Sequence, residues 1–180
     1  MMFGAARSAV AGAILDEPIL GGRLLVAKNG EVTAKFLGSD AGYFNTLFLV
    51  GSDEPLFNKI SPLHSEIILG SFSAGTELVF RLDVRNTGQS FFSGDFLRNP
   101  DLLAHAKATT TLEEITHTYV TTVGFEDLLY GGDEDYNDFR FQLTNVVDPP
   151  PTIPAPSALL LLVAGLAGLG YQRCKQIELA

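Results

Sequence analysis

Residues 76–86 constrain the fold more than any other stretch. Leu78, Phe80, Leu82 and Val84 fall on one face of an extended chain and Glu77, Arg81, Asp83 and Arg85 on the other, with Val79 the exception. A period of two marks a strand with one dry and one wet face. Such a strand is stable only when neighbours pair with its edges and a second layer covers its dry face. Other stretches can supply both. In residues 24–37, two strand-like runs flank Lys28-Asn29-Gly30, and Asn-Gly is a strong hairpin signal. Residues 43–50 are nearly continuous in apolar side chains, which predicts a central strand. Residues 67–72, 115–125 and 139–143 read as further strands and residues 51–62 as a loop. Residues 87–108 show little periodicity. So long a loop in a compact domain is usually functional or a lid, and Phe91 and Phe92 are expected to tuck it against the sheet.

Thirteen Phe against two Met, 18 Gly and no Trp favour an all-β domain over a helical bundle. A chain of 180 residues is one domain plus appendages. The expectation is an all-β fold, an antiparallel, jelly-roll-like β-sandwich over residues 16–148, followed by a single C-terminal transmembrane helix. The net charge of −9 argues against nucleic acid, which needs a basic face. It fits an exported or cation-binding protein, or acid that serves only solubility. Cys174 is the one cysteine, so no internal disulfide forms.

The densest cluster of carboxylates lies between Gly124 and Phe141, around a Gly131-Gly132 turn. Asp133, Asp135 and Asn137, spaced i, i+2, i+4, put hard oxygens on a short, bendable backbone, which suits calcium. They occupy the places of the first three ligands of an EF-hand. The match then ends, because Asp138 stands where that loop needs Gly and Thr144 where it needs Glu. The expectation is a calcium loop on a β-hairpin, with Glu126, Asp127 or Asp138 completing the shell. Without a cation, carboxylates so crowded repel one another. The competing reading is an Asx-rich surface turn with no ion, in which Asp138 braces the turn through backbone amides.

Other chemistries find less support. Glu126 with Asp135 can be drawn as a glycosidase pair, but any acidic loop offers one. His64, His105 and His117 lack metal-ligand spacing, though His105 lies in the long loop and within reach of the acidic stretch. There is no nucleophile elbow, P-loop or dinucleotide fingerprint. A non-enzymatic protein is expected. Phe91, Phe92, Tyr130 and Tyr136, with His105, are candidates to contact a sugar; the other reading of these aromatics is core.

The two ends read as sorting segments. Residues 1–15 are small and apolar around Arg7. They are either a poor or truncated signal peptide or an unprocessed start. Residues 149–156 form a proline-rich linker, extended and semi-rigid. Residues 157–171 are Leu-, Ala- and Gly-rich, and no charge occurs between Asp148 and Arg173. A standard span needs about 20 apolar residues. This run is shorter, and crosses with the prolines and Tyr171 at the interfaces. The basic residues then hold that end in the cytoplasm. The alternative is a buried core helix.

Two resemblances add to this reading. Pro154-Ala155-Pro156, the apolar run and the Arg173/Lys175 finish resemble a PEP-CTERM sorting signal, with Ala155 where that family usually has Glu. The resemblance implies export, processing by an exosortase-type sorting protease, and an exopolysaccharide-producing Gram-negative host. Gly124-Phe125-Glu126-Asp127, Gly132-Asp133-Glu134-Asp135-Tyr136-Asn137-Asp138 and Phe139-Arg140-Phe141 resemble the bacterial extracellular domain-of-unknown-function family numbered 4114. Asn99-Pro100-Asp101 and His105-Ala106 are similar to its preceding loop, with Leu102 where related members usually carry Gly. That family implies a β-sandwich, suggests calcium and implies no known activity. The functional expectation is an exported, exosortase-sorted surface or matrix protein with a calcium-stabilised sandwich and a membrane contact through residues 157–171. The alternative is a carbohydrate-binding module acting in biofilm exopolysaccharide.

Overall fold

Every strand pair among the described residues is antiparallel. The computed structural model describes residues 19–149. The strands are β1 (Ile19–Leu20), β2 (Leu25–Val26), β3 (Gly30–Gly38), β4 (Asn45–Leu49), β5 (Pro55–Asn58) and β6 (Glu66–Phe72). They continue with β7 (Phe80–Val84), β8 (Gln89–Phe92), β9 (Ala106–Glu113), β10 (Thr118–Phe125), β11 (Phe139–Thr144) and β12 (Val146–Val147). One sheet runs β1-β9-β10-β11-β3-β6, a second β5-β4-β7-β8, and β12 pairs with β2 in a short ribbon.

The alternation read from the sequence decides which faces meet. Phe80, Leu82 and Val84 of β7 are buried, as are Val32, Ala34 and Phe36 of β3 and Phe139, Phe141 and Leu143 of β11. Aromatic rings bridge the two layers. Phe36 meets Phe57 with centroids 5.6 Å apart, and Phe80 meets Phe141 at 4.9 Å. Each such ring contributes about 2–3 kcal/mol by leaving water, so this seam makes the two sheets one sandwich.

Four local expectations are corrected. Residues 24–37 are not a hairpin: β2 pairs with β12, and β3 pairs with β11 and β6. Lys28-Asn29-Gly30 is a corner pinned from a distance. The Asn145 side chain accepts from the Lys28 amide (3.1 Å) and donates to the Lys28 carbonyl (2.9 Å). Residues 51–62 contain β5, an edge strand whose first residue is Pro55, a position where a missing N–H costs no ladder bond. Residues 87–108 hold β8, a short 3₁₀ turn at Phe96–Arg98 and the start of β9. The turn between β9 and β10 takes in Ile115, which was expected in a strand and is exposed. These elements are short, or rich in Ala and Thr, and so carry little hydrophobic contrast.

One buried carboxyl stands apart from the acidic loop. Asp148 is 1% exposed, and neither carboxylate oxygen has a partner. The Gly22 backbone covers it so closely that a β-carbon there would lie 2.0 Å from Oδ1. Burial pushes its pKa up to about 7. A carboxyl with a raised folded pKa stabilises the fold below its unfolded pKa, and that contribution is lost as pH rises through about 7. Asp148→Asn should therefore raise stability by roughly 2–4 kcal/mol at about pH 8 and by almost nothing near pH 4. Urea unfolding at the two pH values measures this, and an equal effect at both refutes it.

The possible signal peptide, the linker beyond Pro149, the helix at 157–171 and the motif residues Pro154, Ala155, Pro156, Arg173 and Lys175 lie outside the described residues. Among the described residues no helix is long and apolar enough to cross a membrane.

Candidate metal centre

β10 and β11 form a hairpin whose last paired residues are Phe125 and Phe139, both fully buried. Residues 126–138 therefore close a loop over the rim of the core. Its base is tightly held. The Asp127 amide donates to Asp138 Oδ2 (2.9 Å), the Asp127 carboxylate accepts from Asn45 Nδ2 (2.8 Å), and Ser39 Oγ donates to the Asp138 carbonyl (2.6 Å). Burial first, and then the neighbouring Asp127 carboxylate, push the Asp138 pKa upward against the Asp127 amide bond.

Above this base the loop winds back on itself. Tyr130, Gly131, Gly132, Glu134 and Tyr136 all have φ between 55° and 83°. Non-glycine residues there cost about 1–3 kcal/mol each and persist where surrounding structure demands it. The demand is visible at Gly124. A β-carbon there would sit 2.0 Å from the Tyr136 carbonyl oxygen, so the returning chain needs a residue with no side chain.

The winding brings Glu126, Asp133 and Asp135 together. One carboxylate oxygen from each lies within 4.8 Å of the others. Asp133 and Asp135 are exposed, whereas Glu126 is 1% exposed. Its Oε1 accepts from the Tyr136 amide. Its Oε2 is buried and has no partner. Burial first, then the charges of Asp138, Asp133 and Asp135, push the Glu126 pKa up to about 7, against the Tyr136 hydrogen bond. A buried carboxylate oxygen with no donor is costly. All three side chains offer hard oxygens, the donor type that calcium takes. The residues present thus fit a hard divalent cation.

The structure redistributes the six candidate ligands. Glu126, Asp133 and Asp135 converge. Asp127 and Asp138 brace the loop base through the bonds above. Asn137 turns its side-chain amide onto Asp135 Oδ2, its own amide N–H meets Asp135 Oδ1 at 3.0 Å, and its carbonyl accepts from the Asp40 amide. Asn137 thus lies beside Asp135, a member of the converging set.

The sugar-contact candidates separate by burial. Phe91 and His105 are fully buried and stack on each other at 3.9 Å, so neither can face a ligand; both are corrected to core. Phe92 is partly buried in β8 and bonded at both backbone groups to the Asn99 side chain. Tyr136 is partly buried, with the Lys107 ammonium 5.2 Å from its ring centre. Tyr130 alone of the five is open, at 78% exposure.

Asp101 was missed as part of the assembly. Its Oδ2 accepts from the Tyr130 amide (2.8 Å) and faces His105 Nε2 (2.9 Å), while His105 Nδ1 lies 3.2 Å from the Glu126 carbonyl oxygen. Burial draws the Asp101 pKa up, but the Tyr130 amide and His105 outweigh it, and the net shift is downward. This clamp ties the 93–105 segment to the acidic loop. The Asp101/His105 spacing was the only sequence sign of it.

No curated protein matches the chain. A solved structure, the high-affinity mannose-binding lectin of Ralstonia solanacearum, aligns with 17% identity and a TM-score of 0.46, covering 70% of this chain and 96% of the lectin. Residues 72–145, which include β7 to β11 and the whole acidic loop, match the family model described as "Domain of unknown function (DUF4114)", in support of the resemblance carried by the Gly124 to Phe141 motif.

Proposed function

We propose that this chain is an exported, exosortase-sorted surface or matrix protein whose β-sandwich is braced by calcium and performs no catalysis. The observation that carries the calcium reading is the buried, unpartnered Oε2 of Glu126 beside Asp133 and Asp135. An ion held by these three carboxylates supplies the charge that the buried oxygen lacks. It also fixes the loop that Gly124 lets return over β10. With few carboxylates on a loop, the affinity should fall in the range of extracellular modules, about 10⁻⁴–10⁻³ M. The proposed export route places the domain where calcium is abundant. Catalysis by a Glu126/Asp135 pair is disfavoured because Glu126 is covered by protein, so no glycosidic oxygen can reach it.

Calorimetric titration of the protein with calcium tests this. One ion per chain is expected, with protons released near neutral pH as Glu126 gives up its proton. Asp135→Ala should weaken binding by at least about tenfold. The absence of any binding signal at millimolar calcium would sink the reading.

A second reading, carbohydrate binding, is favoured by Tyr130, an exposed ring immediately before the Gly131-Gly132 turn. Aromatic faces of this kind stack on sugar rings. Glycan-array binding lost in Tyr130→Ala would establish it, and a blank array would remove it.

A further inference from the structure

The outer face of the smaller sheet carries a second polar assembly. Its register sets Thr46, Asp83 and Ser90 in one cross-strand row and Phe48, Arg81 and Phe92 in the next. All six are half-buried, while Leu47, Leu82 and Phe91 alternate with them and face the core. Asp83 Oδ1 accepts from Arg81 Nε (2.9 Å) and from Ser90 Oγ (2.7 Å), and its Oδ2 accepts from Arg81 Nη2 (3.0 Å). The Arg81 guanidinium lies over the Phe48 ring, 4.6 Å from its centre. A guanidinium is a rigid planar fork, so these contacts hold carboxylate, cation and ring in one arrangement.

A groove of about 380 Å³ opens beside this assembly, lined by Thr46, Phe48, Asp83, Arg85, Gln89 and Ser90. Its volume suits a small molecule. Gly88 also lines it, and a β-carbon there would meet nothing within 4 Å, so that side of the groove is open.

The charges select the ligand. Arg81 and Asp83 neutralise each other. Arg85 is exposed and enters no ion pair among the described residues. In a chain of net charge −9, the groove therefore holds an unmatched positive charge, and a carboxylate matches it well. A carboxylate such as Asp83 has about four acceptor sites. Arg81 and Ser90 leave one open on Oδ2, which can take a hydroxyl proton. Gln89 adds an amide that donates and accepts, and Phe48 an apolar wall. A neutral sugar would leave Arg85 unmatched, and a simple anion would leave Asp83 unused.

We infer that this groove binds an acidic sugar, a pyranose that carries a carboxylate. The carboxylate pairs with Arg85, ring hydroxyls bond Asp83 and Gln89, and the ring packs against Phe48. The site lies apart from the proposed calcium loop and from Tyr130 in sequence and depends on neither.

Ligand-observed NMR titration of the full-length protein in EGTA tests this, with methyl glucuronoside as the probe and methyl glucoside as its neutral counterpart. The glucuronoside should bind about tenfold more tightly than the glucoside, and added salt should reduce the difference. Arg85→Gln, at an exposed position, should fold normally and abolish the preference. Asp83→Asn should weaken both sugars. Binding of neither sugar overturns the inference, as does equal binding of the two or a preference that survives Arg85→Gln. Acetate that binds as tightly as the glucuronoside reduces the groove to a simple anion site and overturns it too. Sugar binding that needs calcium, or that Tyr130→Ala removes, belongs to the acidic loop and has the same consequence. Calcium titration of Arg85→Gln should match the wild type, so the groove and the calcium loop fail separately.

Discussion

Glu126→Gln should change the calcium response and the intrinsic stability in opposite directions. In the wild-type domain without calcium, a carboxyl pushed up to about 7 is buried beside Asp133 and Asp135. Its folded pKa is raised, so its contribution to stability is complete below the unfolded pKa and lost as pH rises through about 7. Glutamine keeps the acceptor for the Tyr136 amide and places an N–H₂ donor where Oε2 had none. In calcium-free buffer at about pH 8, the variant should gain roughly 2 kcal/mol. Near pH 5 that advantage should vanish. In calcium it should show little of the wild-type rise in Tm, because the buried ligand charge is gone. Thermal melts with and without calcium at both pH values measure this. A variant that loses stability in EGTA, or keeps the full calcium response, contradicts the assignment of Glu126.

Gly124→Ala is expected to have the second large effect, and through backbone alone. The added methyl would lie 2.0 Å from the Tyr136 carbonyl oxygen, a contact that only movement of the loop can relieve. Moving Tyr136 also moves the amide that orients Glu126. Overpacking of this kind costs about 3 kcal/mol, and calcium affinity should fall by at least about tenfold with it. Gly42 provides the control, since a β-carbon there meets nothing within 4 Å. If Gly124→Ala binds calcium and melts like Gly42→Ala, the close approach is not what shapes the loop.

What the sequence revealed divides along physical lines. The alternation of residues 76–86 and the apolar run at 43–50 were legible because burial of one or both faces writes itself into every second residue. β7 (Phe80–Val84) and the central strand β4 (Asn45–Leu49) lie within these two runs and are shorter than either. The corner at Lys28-Asn29-Gly30 was misread because turn chemistry is local while partner choice is not. Asn145, more than a hundred residues away, decides where that corner goes. β5, β8 and β9 were missed because four-residue edge strands and Ala/Thr-rich strands carry little contrast. The candidate centre was legible as a place and less so as a ligand set. Carboxylate density pointed to the loop, but its exposed members caught the eye first. Glu126 is singled out by burial, which arises from the return of Tyr136 over Gly124, and sequence spacing contains no such information. Phe91 and His105 were misplaced for the same reason, since their mutual stacking makes them core.

One calcium ion is proposed to complete the Glu126, Asp133 and Asp135 cluster. The most direct measurement is the Tm of the wild-type protein with and without about 10 mM calcium at pH 8 and at pH 5.5. With the expected affinity, calcium should raise Tm by about 5–10 °C at the higher pH. At the lower pH, protons occupy Glu126 and should remove most of that gain. No rise at pH 8, or the same rise at both, would contradict the account.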